Sequence, residues 1–131
     1  MDLDEELRRG LEDLGDRFVL ELLEEAARRR PGDLEVLLPL GDLLTRAGRY
    51  EAGLQVDLEL VSLLPTDPVV HYNLSCSYAL LERQEKAFAA LEKAIRLGYD
   101  DRGHMEKDRD LDNLRRDPRF QACLQSIGKK G

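Results

Sequence analysis

Leu37-Leu38-Pro39-Leu40-Gly41-Asp42-Leu43-Leu44 and His71-Tyr72-Asn73-Leu74-Ser75-Cys76-Ser77-Tyr78 decide the fold. The second octet lies 34 residues after the first and keeps its pattern: Leu40 and Leu74, Gly41 and Ser75, Leu44 and Tyr78 hold matching slots. The offset persists outward. Gly53 maps onto Ala87, Pro65 onto Tyr99, and stepping back maps Pro65 onto Pro31. Ala26-Ala27 likewise falls in the slot of Leu60-Val61. A fixed period of this size is the mark of a stacked repeat, in which each unit buries its apolar face against the next.

The punctuation fits. Pro31-Gly32-Asp33 and Pro65-Thr66-Asp67-Pro68 separate units. Asp33 and Asp67 can cap the helices that follow by accepting an orphan backbone N–H. Pro68 suits the first helical position, where no N–H is needed. Gly15, Gly48 and Gly98 fall where helices should stop. Seven helices are expected, over 3–14, 17–30, 34–47, 50–64, 68–82, 84–97 and 117–127, each with apolar residues at helical spacing. Leu3, Leu7, Leu11 and Leu14 form one such stripe. The fourth helix carries two, Leu54–Leu58–Val61 and Val56–Leu60–Leu63–Leu64, as a helix sandwiched between neighbours requires. The alternation at 54, 56, 58 and 60 also reads as a strand; the flanking turns and helix-rich surroundings argue against it.

Composition points the same way. The chain has 131 residues, enough for one domain, and an apolar fraction of 42% with only 5% aromatic. A core of Leu, Val and Ala favours helix over strand. The formal net charge is −7, which opposes nucleic-acid binding and attraction to anionic membranes. Arg28-Arg29-Arg30 and Arg115-Arg116 read as helix ends or solvated faces. No stretch approaches a membrane span, and Met1-Asp2-Leu3-Asp4-Glu5-Glu6 is no secretory signal. Cys76 and Cys123 lack metal-ligand spacing and suit a reducing, cytoplasmic setting.

These residues resemble the tetratricopeptide repeat family, whose first helix reads aromatic-x-x-Leu-Gly-x-x-Tyr and whose second carries small-x-x-x-Phe before a closing Pro. The resemblance covers 33–66 and 67–100 as two units and 16–32 as the second half of an earlier one. It implies an all-α, right-handed superhelix of stacked antiparallel helix pairs. The expected organisation is a degenerate unit at 1–32, repeats at 33–66 and 67–100, and a cap at 101–131. Leu37 and His71 replace the aromatic residue. Asp57 takes the Phe slot, so that helix is expected to rotate or pack loosely. Pro39 should delete a helical hydrogen bond at a cost on the order of 3 kcal/mol. Tyr99 in the closing slot marks the end of the array. The segment 99–104 reads as a polar connection. Asp110 to Phe120 resembles the tail that follows the last repeat in many bacterial members, with Leu111, Leu114, Phe120 and Leu124 covering the last apolar face.

Catalytic chemistry is not evident. His71 sits in a structural slot, and His104 is expected in a loop far from any second ligand. Asp108-Arg109-Asp110-Leu111-Asp112 begins like a calcium loop but lacks the Gly and the bidentate Glu. No phosphate-cradling loop or nucleophile elbow is present. No cofactor, metal or enzymatic role is therefore expected. The resemblance implies instead a concave groove lined by first helices, with Leu38, Asp42, Arg46, Tyr72, Asn73 and Cys76 free to contact a peptide or partner protein. Asp42 stands where some family members carry a residue that grips a carboxylate, so a ligand of basic character fits better. The second expectation is a self-associating structural module that uses exposed end helices; the chain is expected to be a monomer or weak homo-oligomer.

Overall fold

The computed structural model describes residues 3–128, of which all but the turns are helical. The ends of the expected first and last segments lie outside the described residues, as does the side chain of Leu3. Seven α-helices and one 3-10 helix follow in order, with no strand among the described residues. They are α1 (Leu3–Arg29), α2 (Leu34–Arg46), α3 (Tyr50–Leu63), α4 (Pro68–Leu80), α5 (Gln84–Arg96), α6 (Arg102–Lys107), the 3-10 helix (Arg109–Leu114) and α7 (Pro118–Ser126).

The turns explain the register. Asp33 caps α2 by accepting from the Glu35 N–H at 3.0 Å, and Asp67 caps α4 by accepting from the Val69 N–H at 2.9 Å. Helices α2, α4 and α5 end with the same pair of backbone bonds. Gly48 N–H donates to the Thr45 carbonyl and Arg49 N–H to that of Leu44; Glu82 with Ala79 and Arg83 with Tyr78 repeat the arrangement, as do Gly98 with Ile95 and Tyr99 with Ala94. The closing residue has positive φ: 79° at Gly48, 59° at Glu82 and 110° at Gly98. Glu82 thus occupies, 34 residues after Gly48, a conformation that favours glycine.

Packing is sequential: α1 on α2, α2 on α3, α3 on α4 and α4 on α5. Close approach depends on small residues. A Cβ on Gly53 would lie 3.1 Å from Thr45 Oγ1, and one on Gly41 would lie 3.3 Å from both Val56 Cγ1 and Asp57 Oδ1. Leu20, Leu40, Leu43 and Leu44 form the core between α1 and α2, Leu37, Leu60 and Val70 the next, and Leu54, Leu74 and Ala90 the one after. The tail supplies the largest cluster, in which Met105, Leu111, Leu114, Phe120 and Leu124 cover Ala87, Phe88, Leu91 and Ala94.

Ion pairs recur across successive joints. Arg49 meets Glu24 at 3.0 Å, Arg83 meets Glu51 at 3.1 Å, and Arg119 of the tail meets Glu85 at 2.8 Å. Arg49 and Arg83 are one period apart, as are Glu51 and Glu85. These exposed pairs contribute little energy, but they mark the register.

Four expectations are corrected. Residues 3–14 and 17–30 are not two helices; α1 runs unbroken through Gly15. The polar connection contains α6, capped by Asp101, so His104 sits in a helix rather than a loop. The Asp57 slot is not loose: its carboxylate is buried and accepts a hydrogen bond from Ser77 Oγ. The two faces of α3 are each only partly covered, with Leu58 left exposed on one and Leu63 on the other. Pro39 does lie inside α2, and it is exposed together with Glu35, whose carbonyl it leaves unbonded. Water can therefore take the place of the missing donor.

Candidate functional site

The first helices α2 and α4 lie on the same side of the stack, and the chain returns across them. After α5 it turns at Gly98, passes through α6, and lays the 3-10 helix along α4. Asp108 is the residue that anchors this return. Its Oδ1 accepts from the Asp110 N–H at 3.0 Å, capping the 3-10 helix. Its Oδ2 faces α4 and accepts from Tyr72 Oη at 2.7 Å, with Cys76 Sγ at 3.7 Å and His104 Nε2 at 3.2 Å. Asn113 Nδ2 adds a donor bond to the Ala79 carbonyl at 2.9 Å. The Tyr72 ring stacks on Tyr99 with centroids 4.3 Å apart and planes 3° from parallel.

A cleft of about 230 Å³ remains between α2, α4 and the returning tail. Leu38, Asp42, Tyr72, Asn73 and Cys76, five of the six residues expected to contact a ligand, line it together. Arg46 does not. It lies beside the second half of α1, lining another cleft with Asp13, Asp16 and Arg17, and pairs with Asp42 at 3.5 Å. The five also differ in freedom. Leu38 is 45% exposed, whereas Tyr72 is 3% exposed and already held by the tail. Tyr72 is thus an anchor for the tail rather than a free contact.

Among the lining residues that the sequence reading missed are four titratable ones: Asp57, His104, Asp108 and Asp110. Asp108 meets Tyr72 across 36 residues of chain, a separation at which no spacing rule operates. Asp57 follows the period, but its slot predicts an aromatic residue rather than an acid. Together with Asp42 these give four carboxylates, against no Lys or Arg, in the cleft wall. Burial raises the Asp57 carboxyl to about 6, with the Ser77 hydrogen bond acting the other way. Burial, followed by neighbouring Asp108, also raises Asp110. A site that holds carboxylates against their hydration favours a cation.

Metal binding is the other chemistry such a cluster suggests. Cys76, Asp108 and Asp110 can bring one ligand atom each within 4.8 Å of one another. Burial and the facing carboxylates push the Cys76 thiol well up, so it stays protonated at neutral pH. Asp108 Oδ2 already accepts hydrogen bonds from Tyr72 and Cys76 and lies 3.2 Å from His104 Nε2. Asp112 turns away to pair with Arg115 at 2.8 Å, so the acidic run does not converge as a calcium loop. His71 is a packed histidine. Its Nε2 lies 2.8 Å from the Pro65 carbonyl, which can only accept, so Nε2 carries the proton.

Helix pairs stacked at a 34-residue period and closed by a returning tail define a tetratricopeptide-type helical solenoid. Solved structures agree. A MamA fragment from Desulfovibrio magneticus RS-1, residues 41 to the end, superposes with a TM-score of 0.68 at 22% identity, covering 88% of this chain and 65% of that one. A MamA crystal structure gives 0.70 at 17%, covering 96% and 72%. This chain is also 31% identical over 86 residues to a chloroplastic protein of Arabidopsis thaliana, a match covering 63% of this chain and 26% of that protein. No family model matches. No described helix is long and apolar enough to cross a membrane.

Proposed function

We propose that the protein is a non-catalytic interaction scaffold that receives a short basic segment of a partner protein in the cleft between α2, α4 and the tail. The observation that carries this reading is the wall itself: Asp42, Asp57, Asp108 and Asp110 without a Lys or Arg among them. Leu38 at the rim supplies an exposed apolar contact, and Asn73 a polar one. An extended peptide with one Lys or Arg and one apolar side chain suits that combination. The expected organisation into repeats at 33–66 and 67–100, with a cap from 101, belongs to this reading. So does a cytoplasmic location, with which two free thiols are compatible.

Fluorescence anisotropy with labelled peptides tests it, using a Lys/Arg-containing peptide and an acidic one of equal length. The basic peptide should bind and the acidic one should not, with affinity falling as salt rises. Asp42→Asn combined with Asp110→Asn should weaken binding about tenfold, as expected for two partly exposed charge contacts. Equal binding of both peptides, or no loss in the double variant, rules the reading out.

A further inference from the structure

The opposite end of the molecule carries a second unfilled surface. The side of α1 turned away from α2 holds Leu7, Leu11, Leu14, Phe18 and Leu22, which are between 55 and 68% exposed. At 100° per residue their spacing confines them to an arc of about 80°. Leu20, Leu23 and Ala27, on the other side of the helix, pack against Leu40, Leu43 and Leu44 of α2. The second half of α1 is therefore apolar on two opposite faces, and only one is covered.

The 34-residue register says what the bare face is for. Phe18 and Leu22 map onto Ala52 and Val56 of α3, and Leu22 maps further onto Ala90 of α5. Ala52 and Val56 pack against the cluster of Leu20, Leu40, Leu43 and Leu44, with Val56 Cγ1 lying 3.3 Å from where a Cβ on Gly41 of α2 would stand, and Ala90 is buried with Leu54 of α3 and Leu74 of α4. In each case the position is packed against a neighbouring helix of the stack. On α1 the same joint has no occupant within the described residues. The far end of the stack is closed by the tail, so a second copy cannot join head to tail there. With a single open end among the described residues, two copies close by pairing like with like, about a two-fold axis.

We propose that α1 is a dimerisation helix, pairing antiparallel with α1 of a second copy through the stripe Leu7–Leu22. The stripe is nearly symmetric about Leu14, so antiparallel pairing sets Leu11 opposite Phe18 and Leu7 opposite Leu22. A Cβ added at Gly10 or Gly15 would meet nothing within 4 Å. Both glycines flank the stripe, inside a helix that they disfavour; an approaching backbone gives them a use. Five side chains per copy, each covering roughly 100 Å², amount to about 1,000 Å² over the pair, the lower bound for a specific interface. This inference is independent of the cleft reading.

Sedimentation velocity on the 131-residue chain, over a concentration series, is the test. A reversible dimer is expected, and Leu11→Glu with Phe18→Glu should give a monomer of unchanged helicity. Mild oxidation of cysteine variants fixes the orientation: Leu14→Cys should cross-link to itself, Leu11→Cys to Phe18→Cys, and Leu7→Cys not to itself. Asp42→Asn with Asp110→Asn should leave the dimer intact, which separates failure of this proposal from failure of the cleft reading. A monomer throughout, including one in which residues 3–14 fold back on 17–30, overturns the proposal. So does a dimer indifferent to the charge pair, or efficient self-cross-linking at Leu7.

Discussion

Replacing Asp57 by Asn should stabilise the protein at neutral pH and do little in acid. Asp57 is 5% exposed, and burial raises its carboxyl from 3.8 to about 6. In the unfolded chain the group titrates near its ordinary value. Between those two values the native state holds the proton and the unfolded state does not, so stability falls as pH rises through the window. The shift of about 2.2 units corresponds to about 3 kcal/mol lost by the time Asp57 is fully ionised, at about 1.36 kcal/mol per unit. Asn has the same shape, can accept the bond from Ser77 Oγ, and carries no charge to desolvate. Urea denaturation followed by circular dichroism should show no difference between the two proteins near pH ~3 and a gain of up to about 3 kcal/mol for Asp57→Asn near pH ~8. Subtracting one curve from the other removes the titration of every other carboxylate. A variant less stable than wild type at neutral pH, or a difference constant across the range, would refute the account of Asp57 as a desolvated acid.

Three further substitutions probe the scaffold. Glu82→Gly removes the Cβ from a residue at φ 59° and should raise stability by about 1 kcal/mol in thermal melts. Pro39→Ala restores the donor to the Glu35 carbonyl at an exposed site and should add about 1–3 kcal/mol by urea titration. Leu111→Ala empties a fully buried position under the tail; a loss of about 2–5 kcal/mol is expected, with changed tyrosine fluorescence as the stacked Tyr72 and Tyr99 loosen.

What could be read from the chain depended on how far apart the interacting residues lie. The caps Asp33 and Asp67, the reversals at Gly48 and Gly98, and helices α2 to α5 follow from residues a few positions apart, and the period supplies their mutual register. Gly15 resembled the glycines at those reversals, yet nothing after it enforces a stop. An interior glycine costs a helix only about 1 kcal/mol, and Asp16 and Arg17 continue it. The connection at 99–104 read as polar, and the helix found there buries only Met105, just past the connection's end; a single apolar residue makes no stripe. The cleft was half legible. The register grouped Leu38, Asp42, Tyr72, Asn73 and Cys76 on one side, but it could not say that Asp108 returns to claim Tyr72. That contact is tertiary, and it turns a residue expected to face a ligand into a brace for the tail.

Arg119 holds Glu85 as Arg83 holds Glu51, and it also lies over the Phe88 ring at 4.2 Å. The tail therefore mates with α5 through the fitting that a further helix pair would use. An in-frame duplication of residues 67–100 would offer that fitting twice over, once to the inserted copy and once to the tail. Lineages carrying such a duplication could lengthen the stack one module at a time without inventing a new terminus.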